Sequence, residues 1–142
     1  MTETRLTAVD LMREIFEPLE RGEREDSEAL YDALDDEVTF KLSVGELNGK
    51  GAVIAYLNGG ELLEFSPFET PLMYFGDGDR AVIVGEETFR VNETGPIVHK
   101  AEYAWVVLVQ DGKITHISEI QDVSGVLGPL RELVTQSQAA AT

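Results

Sequence analysis

The dipeptide Asp111-Gly112 sits between two long runs that read as strands, IVHKAEYAWVVLVQ (97–110) and KITHISEIQD (113–122). Asp-Gly is a strong signal for a two-residue hairpin turn, because such turns need positive φ angles that glycine adopts freely and aspartate tolerates. The turn commits the C-terminal half of the chain to antiparallel pairing, and a register follows. Gln110 should oppose Lys113, Val107 should oppose His116, and Ala104 should oppose Glu119. Residues directly opposite share a face. One face then collects Tyr103, Trp105, Val107, Val109, Ile114, His116, Ser118, Ile120 and Asp122, and the other Glu102, Ala104, Val106, Leu108, Thr115, Ile117, Glu119 and Gln121. Both faces have apolar centres, so both need a cover, and alternation alone leaves open which one lies under helices.

The rest of the chain reads as helices first and strands later. Thr7 and Asp10 have the spacing of a capping box, with Leu6 and Leu11 as the flanking hydrophobic staple. Val9, Met12, Phe16 and Leu19 follow at helical spacing, Pro18 falls near the helix end, and Gly22 stops it. A second short helix starts near Asp26 or Ser27, with Leu30, Ala33 and Leu34 on its apolar side. DEVTFKLSVG (36–45) reads as a strand and NGKGAVIAYLNGG (48–60) as a third helix, closed by Gly59 or Gly60. FETPLMYF (68–75) is extended and interrupted by Pro71. RAVIVGEETFRV (80–91) is a long strand joined through NETGP to the hairpin, while Leu127, Leu130, Leu133 and Val134 form a short C-terminal segment before a frayed tail over 135–142. This order predicts a single α+β domain over 1–142, core about 6–124, with helices packed on one face of a mostly antiparallel sheet.

Composition removes several function classes. The chain has 27 acidic against 11 basic side chains, a formal net charge of −16, and between Asp10 and Glu37 it carries twelve acids and three arginines. Such a field repels phosphate backbones and anionic lipid, so neither nucleic acid nor membrane is expected as a partner. The longest apolar run, AWVVLV (104–109), is far too short to span a bilayer. No basic, apolar, small-residue progression opens the chain, so no secretion signal and a cytoplasmic location are expected. Without cysteine there is no disulfide or thiolate site, and two histidines far apart in sequence, His99 and His116, make a His-based metal site improbable.

LYDALDDEVTF, the helix start NGKGAVI, and DGKI before an acidic last strand together resemble the nuclear-transport-factor-like (cystatin-like α+β) superfamily over about residues 6–124. The likeness is to its SnoaL-like polyketide cyclases, ketosteroid isomerases and limonene epoxide hydrolases. It implies a curved sheet wrapped around the N-terminal helices, a cone with an apolar pocket at one end, and a homodimer. It places the pocket on the side of Ile117, Glu119 and Gln121, with Glu119 where the epoxide hydrolases keep a catalytic aspartate. Glu102, Ala104 and Val106 would share that face. Glu87 and Phe89 would do so too if the NETGP turn keeps parity, and Thr39 and Lys41 align with polar pocket residues. Trp105, Tyr103 and Val107 would then be packing, as part of a dimer face. Tyr56, Phe65, Phe68 and Phe75 would be core or pocket wall. His116 would be partly exposed, His99 would sit at the pocket rim, and Asp122 would cap a turn.

The chain departs from its relatives where they do their chemistry. The Arg-x-Asp pair of the epoxide hydrolases is replaced in GEETF by Glu87 and Phe89. The isomerases' aspartate base falls at Lys41, their second acid at Ala104 and their tyrosine at Ile15. What remains implied is a small apolar ligand and a set of carboxylates: Glu119 as acid/base, Glu87 and Glu102 as neighbours, and Lys41 as counter-charge. A carboxyl desolvated beside a second one has its pKa raised toward neutrality, which suits removal of a proton next to a carbonyl. Aldol-type cyclisation or double-bond isomerisation of an apolar oxygenated metabolite, polyketide- or steroid-like, would need no cofactor. Epoxide opening and non-catalytic ligand binding by a dimer are the alternatives.

Overall fold

A computed structural model describes residues 6–59, 63–91 and 95–140. Helix α1 (Ala8–Glu20) opens with the expected capping box: the Asp10 amide donates to Thr7 Oγ1 at 3.1 Å and the Thr7 amide to Asp10 Oδ2 at 3.3 Å. Its buried side is Ala8, Met12, Ile15 and Phe16, whereas Leu6 of the expected staple is exposed. Gly22, at φ +71°, turns the chain out of the helix. Helix α2 (Glu28–Ala33) runs directly into strand β1 (Leu34–Leu42). A short strand β2 (Gly45–Asn48), not foreseen from the sequence, folds back on β1 before α3 (Lys50–Leu57). Gly59 closes α3 at φ +67°; Gly60, the other candidate for that role, lies outside the described residues, as does Asn92–Thr94 of the NETGP turn.

Strands β3 (Glu64–Ser66), β4 (Met73–Asp77), β5 (Arg80–Arg90), β6 (Ile97–Gln110) and β7 (Lys113–Gln121) follow. Residues 67–72, with Pro71, form an irregular link, so the extended run expected over 68–75 is confined to its last residues. The sheet order is β2-β1-β7-β6-β5-β3, with β4 on the same edge of β5 as β3. Every pairing is antiparallel except that of β1 with β7. α1 packs on β4, β5 and β6, α3 on β1, and α4 (Leu127–Ala140) on α3 and β2, so the curled sheet holds its core on the helix side. The frayed tail is a correction: α4 continues to Ala140, because Ser137 is buried and Gln138 Oε1 accepts the Asn48 amide at 2.8 Å.

The hairpin turn forms as read, with Asp111 at φ +53°, Gly112 at φ +77°, and Gln110 opposite Lys113. Its register then slips. Val109 faces Ile114 but Leu108 faces His116, so Thr115 is an extra residue, a β-bulge. Beyond it Val107 opposes Ile117, Trp105 opposes Glu119, and Tyr103 opposes Gln121. One inserted residue exchanges the face mates of the whole strand. The concave face therefore holds Tyr103, Trp105 and Val107 together with Ile117, Glu119 and Gln121. Glu102, Ala104 and Val106, expected beside Glu119, stand on the convex face with His116, Ser118 and Ile120. Tyr103 and Trp105, expected outside, are inside. Thr39 and Lys41 pair with His116 and Ser118 and are convex too, while Phe40 between them is fully buried. Phe75, expected in the wall, is 56% exposed.

Candidate functional site

Strands β5, β6 and β7 each send one residue of a cross-strand row to the concave side, and α1 and the 65–72 segment close over them. Ile83 pairs with Trp105 and Trp105 with Glu119; Glu87 lies two concave positions along β5 from Ile83. Between this wall and the helices lies a cavity of about 270 Å³, lined by Phe16, Leu30, Phe65, Phe68, Leu72, Ile83, Tyr103 and Trp105 with the carboxyls of Glu87 and Glu119. Glu25 and Ser27, ahead of α2, also line it, with Leu19, Leu57 and Pro67; Glu25 is exposed and marks the open end. The volume lies just below the ~300–1,000 Å³ of drug-sized sites, so the space suits a small ligand.

Aromatic packing fixes the wall. Trp105 meets Phe16 and Phe40 edge-on, with ring centroids 6.0 and 5.3 Å apart, and Phe16 meets Phe68 in the same way at 6.1 Å. Such edge-to-face pairs hold rings at defined angles. Gly85 is required behind Tyr103: a Cβ there would lie 2.7 Å from the Tyr103 hydroxyl and 2.5 Å from Leu72 Cδ2. That hydroxyl donates to the Pro67 carbonyl at 2.8 Å, tying the sheet to the covering segment.

Two carboxyls in this setting cannot both stay ionised cheaply. Glu87 is only 8% exposed, and burial first, then the charge of Glu119, pushes its pKa up to about 8, against the hydrogen bond from Gln121 Nε2 at 3.0 Å. Burial pushes Glu119 up to about 7, and a hydrogen bond donated by the Trp105 side chain offsets part of that rise. The two titrate as a pair, holding about one proton between them near neutral pH. Tyr56 and Tyr103 are raised well above their ordinary values, by burial and then by both carboxylates, so both phenols stay protonated.

The residues singled out from sequence thus divide. Glu119 and Glu87 share the cavity, and Gln121 stands directly behind Glu87. Tyr56 is buried against Phe40 and Phe65, close enough to feel both carboxylates without lining the space. Ile117 is buried on the same face. Phe89 is filled in behind Phe65 and against His99, at centroid distances of 5.6 Å each, and does not reach the cavity. Glu102, Lys41, Thr39, Ala104 and Val106 are corrected to the opposite surface, so the counter-charge expected from Lys41 is absent from the site. Asp122 Oδ1 accepts the Ser124 amide at 3.0 Å, and His99 Nε2 lies 2.7 Å from the Asp122 carbonyl. Sequence reasoning missed Trp105, Tyr103, Phe16 and Leu30 as lining. A signal existed: Ile114 and Ile117 are three apart, a spacing that strict alternation cannot place on one face.

No protein-family model matches the chain, and no curated protein matches it. Solved structures do. An NTF2-like protein from Burkholderia xenovorans LB400 superposes with a TM-score of 0.66 at 22% identity, over 87% of this chain and 96% of that one. A candidate polyketide cyclase from Pseudomonas putida KT2440 gives 0.65 at 16% identity over 85% and 96%. An LEH-like epoxide hydrolase from M. tuberculosis gives 0.62 at 15% over 90% and 92%. The class defined by these likenesses is one of fold: the chain has the NTF2-like α+β cone. No helix among the described residues is long and apolar enough to cross a membrane.

Proposed function

We propose that the protein is an acid/base enzyme acting on a small carbonyl compound, with Glu119 as base and Glu87 as acid. The observation that carries this reading is the pair of carboxyls facing one apolar cavity, where burial raises both pKa values toward neutrality. Carboxyls raised to near neutrality are what proton transfer at carbon requires. The Trp105 donor favours the ionised form of Glu119; Glu87, raised by burial and by the charge of Glu119 against the Gln121 donor, is assigned the pair's proton in this reading. Glu119 takes the proton from the carbon next to the carbonyl, the C–H electrons form the enol double bond, and Glu87 gives its proton to the carbonyl oxygen. In an isomerisation, Glu119 returns its proton to the far carbon of a conjugated enol and Glu87 recovers its own. In an aldol closure, the enol carbon bonds to a second carbonyl carbon, whose oxygen takes the Glu119 proton, while the enol oxygen returns its proton to Glu87 and becomes a carbonyl again. Neither route consumes a cofactor. The candidate polyketide cyclases among the fold's neighbours lend this class support; the fold alone does not choose it.

The test is hydrogen exchange in D₂O with small cyclic ketones, followed by NMR. The expected result is enzyme-dependent deuterium incorporation next to the carbonyl, reduced roughly 10²–10⁴-fold in Glu119→Gln. Exchange no faster than in buffer, or undiminished in the variant, would sink the proposal.

The convex face supports a second copy of the chain as partner. It exposes Met73, Phe75 and Ile120 around the cations Lys41 and Arg80 and the acid Glu102, on a molecule of net charge −16 whose remaining surface repels its own kind.

A further inference from the structure

The cavity holds carboxyl groups and, among the described residues, no cationic side chain. Glu87 and Glu119 stand on its sheet wall and Glu25 at its open end, while among the described residues no Lys, Arg or His lines it. The arginines that precede Glu25 in the chain are already engaged. Arg24 pairs with Asp26 at 3.1 Å, and Arg21 lies 3.6 Å from Glu17 and 3.3 Å from Glu23. The remaining wall is aromatic and aliphatic, and aromatic rings present a negative face. An anion moving inward would leave its hydration behind, find no counter-charge, and approach a pair that already carries about one negative charge.

We propose that the site takes a free molecule without negative charge, and excludes acids, phosphate esters and acyl groups still tethered to an anionic carrier. This rests on the acid/base reading of the same cavity and narrows its substrate class. It also orders the chemistry around the protein. A substrate made as a carrier thioester cannot be passed on by hydrolysis alone, since that leaves a carboxylate. The preceding reaction must remove or mask the anionic group, as decarboxylation of a β-keto acid to a ketone or esterification of the acid does.

Trp105 is the chain's single tryptophan and lines the cavity, so its fluorescence reports occupancy. Cyclohexyl methyl ketone and cyclohexanecarboxylate have nearly the same shape and differ in charge. At pH 7.5 the native protein should bind the ketone at least about tenfold more tightly than the carboxylate, and the Glu87→Gln/Glu119→Gln double variant should narrow that preference to about threefold or less. Equal binding of the carboxylate by the native protein, or a preference unchanged in the double variant, would overturn the exclusion while leaving the cavity a ligand site. Quenching by neither compound in either protein would overturn the ligand-site reading and this inference with it.

Discussion

Glu87 and Glu119 decide how the protein should respond to pH. Each binds its proton more tightly in the folded chain, at about 8 and about 7, than at the ordinary glutamate value of 4.5. Below about pH 4.5 both the folded and the unfolded forms are protonated, so burial of the pair carries little penalty there. As pH rises the unfolded chain loses its protons first, the folded pair resists, and stability falls until pH passes the folded values. The melting temperature should therefore decline between about pH 5 and pH 8, on top of general charge repulsion. The Glu87→Gln/Glu119→Gln double variant should flatten that decline and melt higher at pH 8. Differential scanning calorimetry of both proteins checks this, and parallel pH profiles would speak against the pair. At the same scale Gly85→Ala, whose methyl has no room against Tyr103 and Leu72, should cost about 1–3 kcal/mol in a denaturant titration. It should also weaken ligand binding by displacing the cavity wall.

At the scale of elements, much is legible in the sequence. The capping box of α1, the glycine stop at Gly22, the Asp111-Gly112 turn and the two long strands it joins all follow from local chemistry. Strand β2 was not legible: GELN is four residues, and its stability comes from β1 and from α4 packing on it. The same non-local support explains why 135–140 is helical instead of frayed. The larger misreading came from one residue. Thr115 bulges, and that keeps Ile114 and Ile117 both buried while delivering Glu119 and Gln121 to the concave face beside Trp105 and Tyr103. Counting straight from the turn paired Glu119 with Ala104 and so recruited Glu102 and Val106 to the wrong side. The face of Glu119 came from family likeness, and the identity of its neighbours could come only from register.

For the whole molecule, the two sheet faces divide the work. The concave face and helices enclose the cavity, and the convex face offers apolar area in a chain otherwise heavily acidic. Sedimentation should find a dimer at micromolar concentration, and Ile120→Glu should shift it to monomer. Ile120 is 64% exposed, so the change should leave the fold of a single chain intact. Monomer in the native protein would remove the convex face as an interface without touching the cavity.

The paired carboxyls are open to direct observation. Carbon-13 labelling of glutamate side chains and NMR titration of the folded protein should show two carboxyls ionising between about pH 6 and 9, far above the rest, and both signals should vanish in the double variant. A native protein in which every glutamate ionises below about pH 5 would contradict the account.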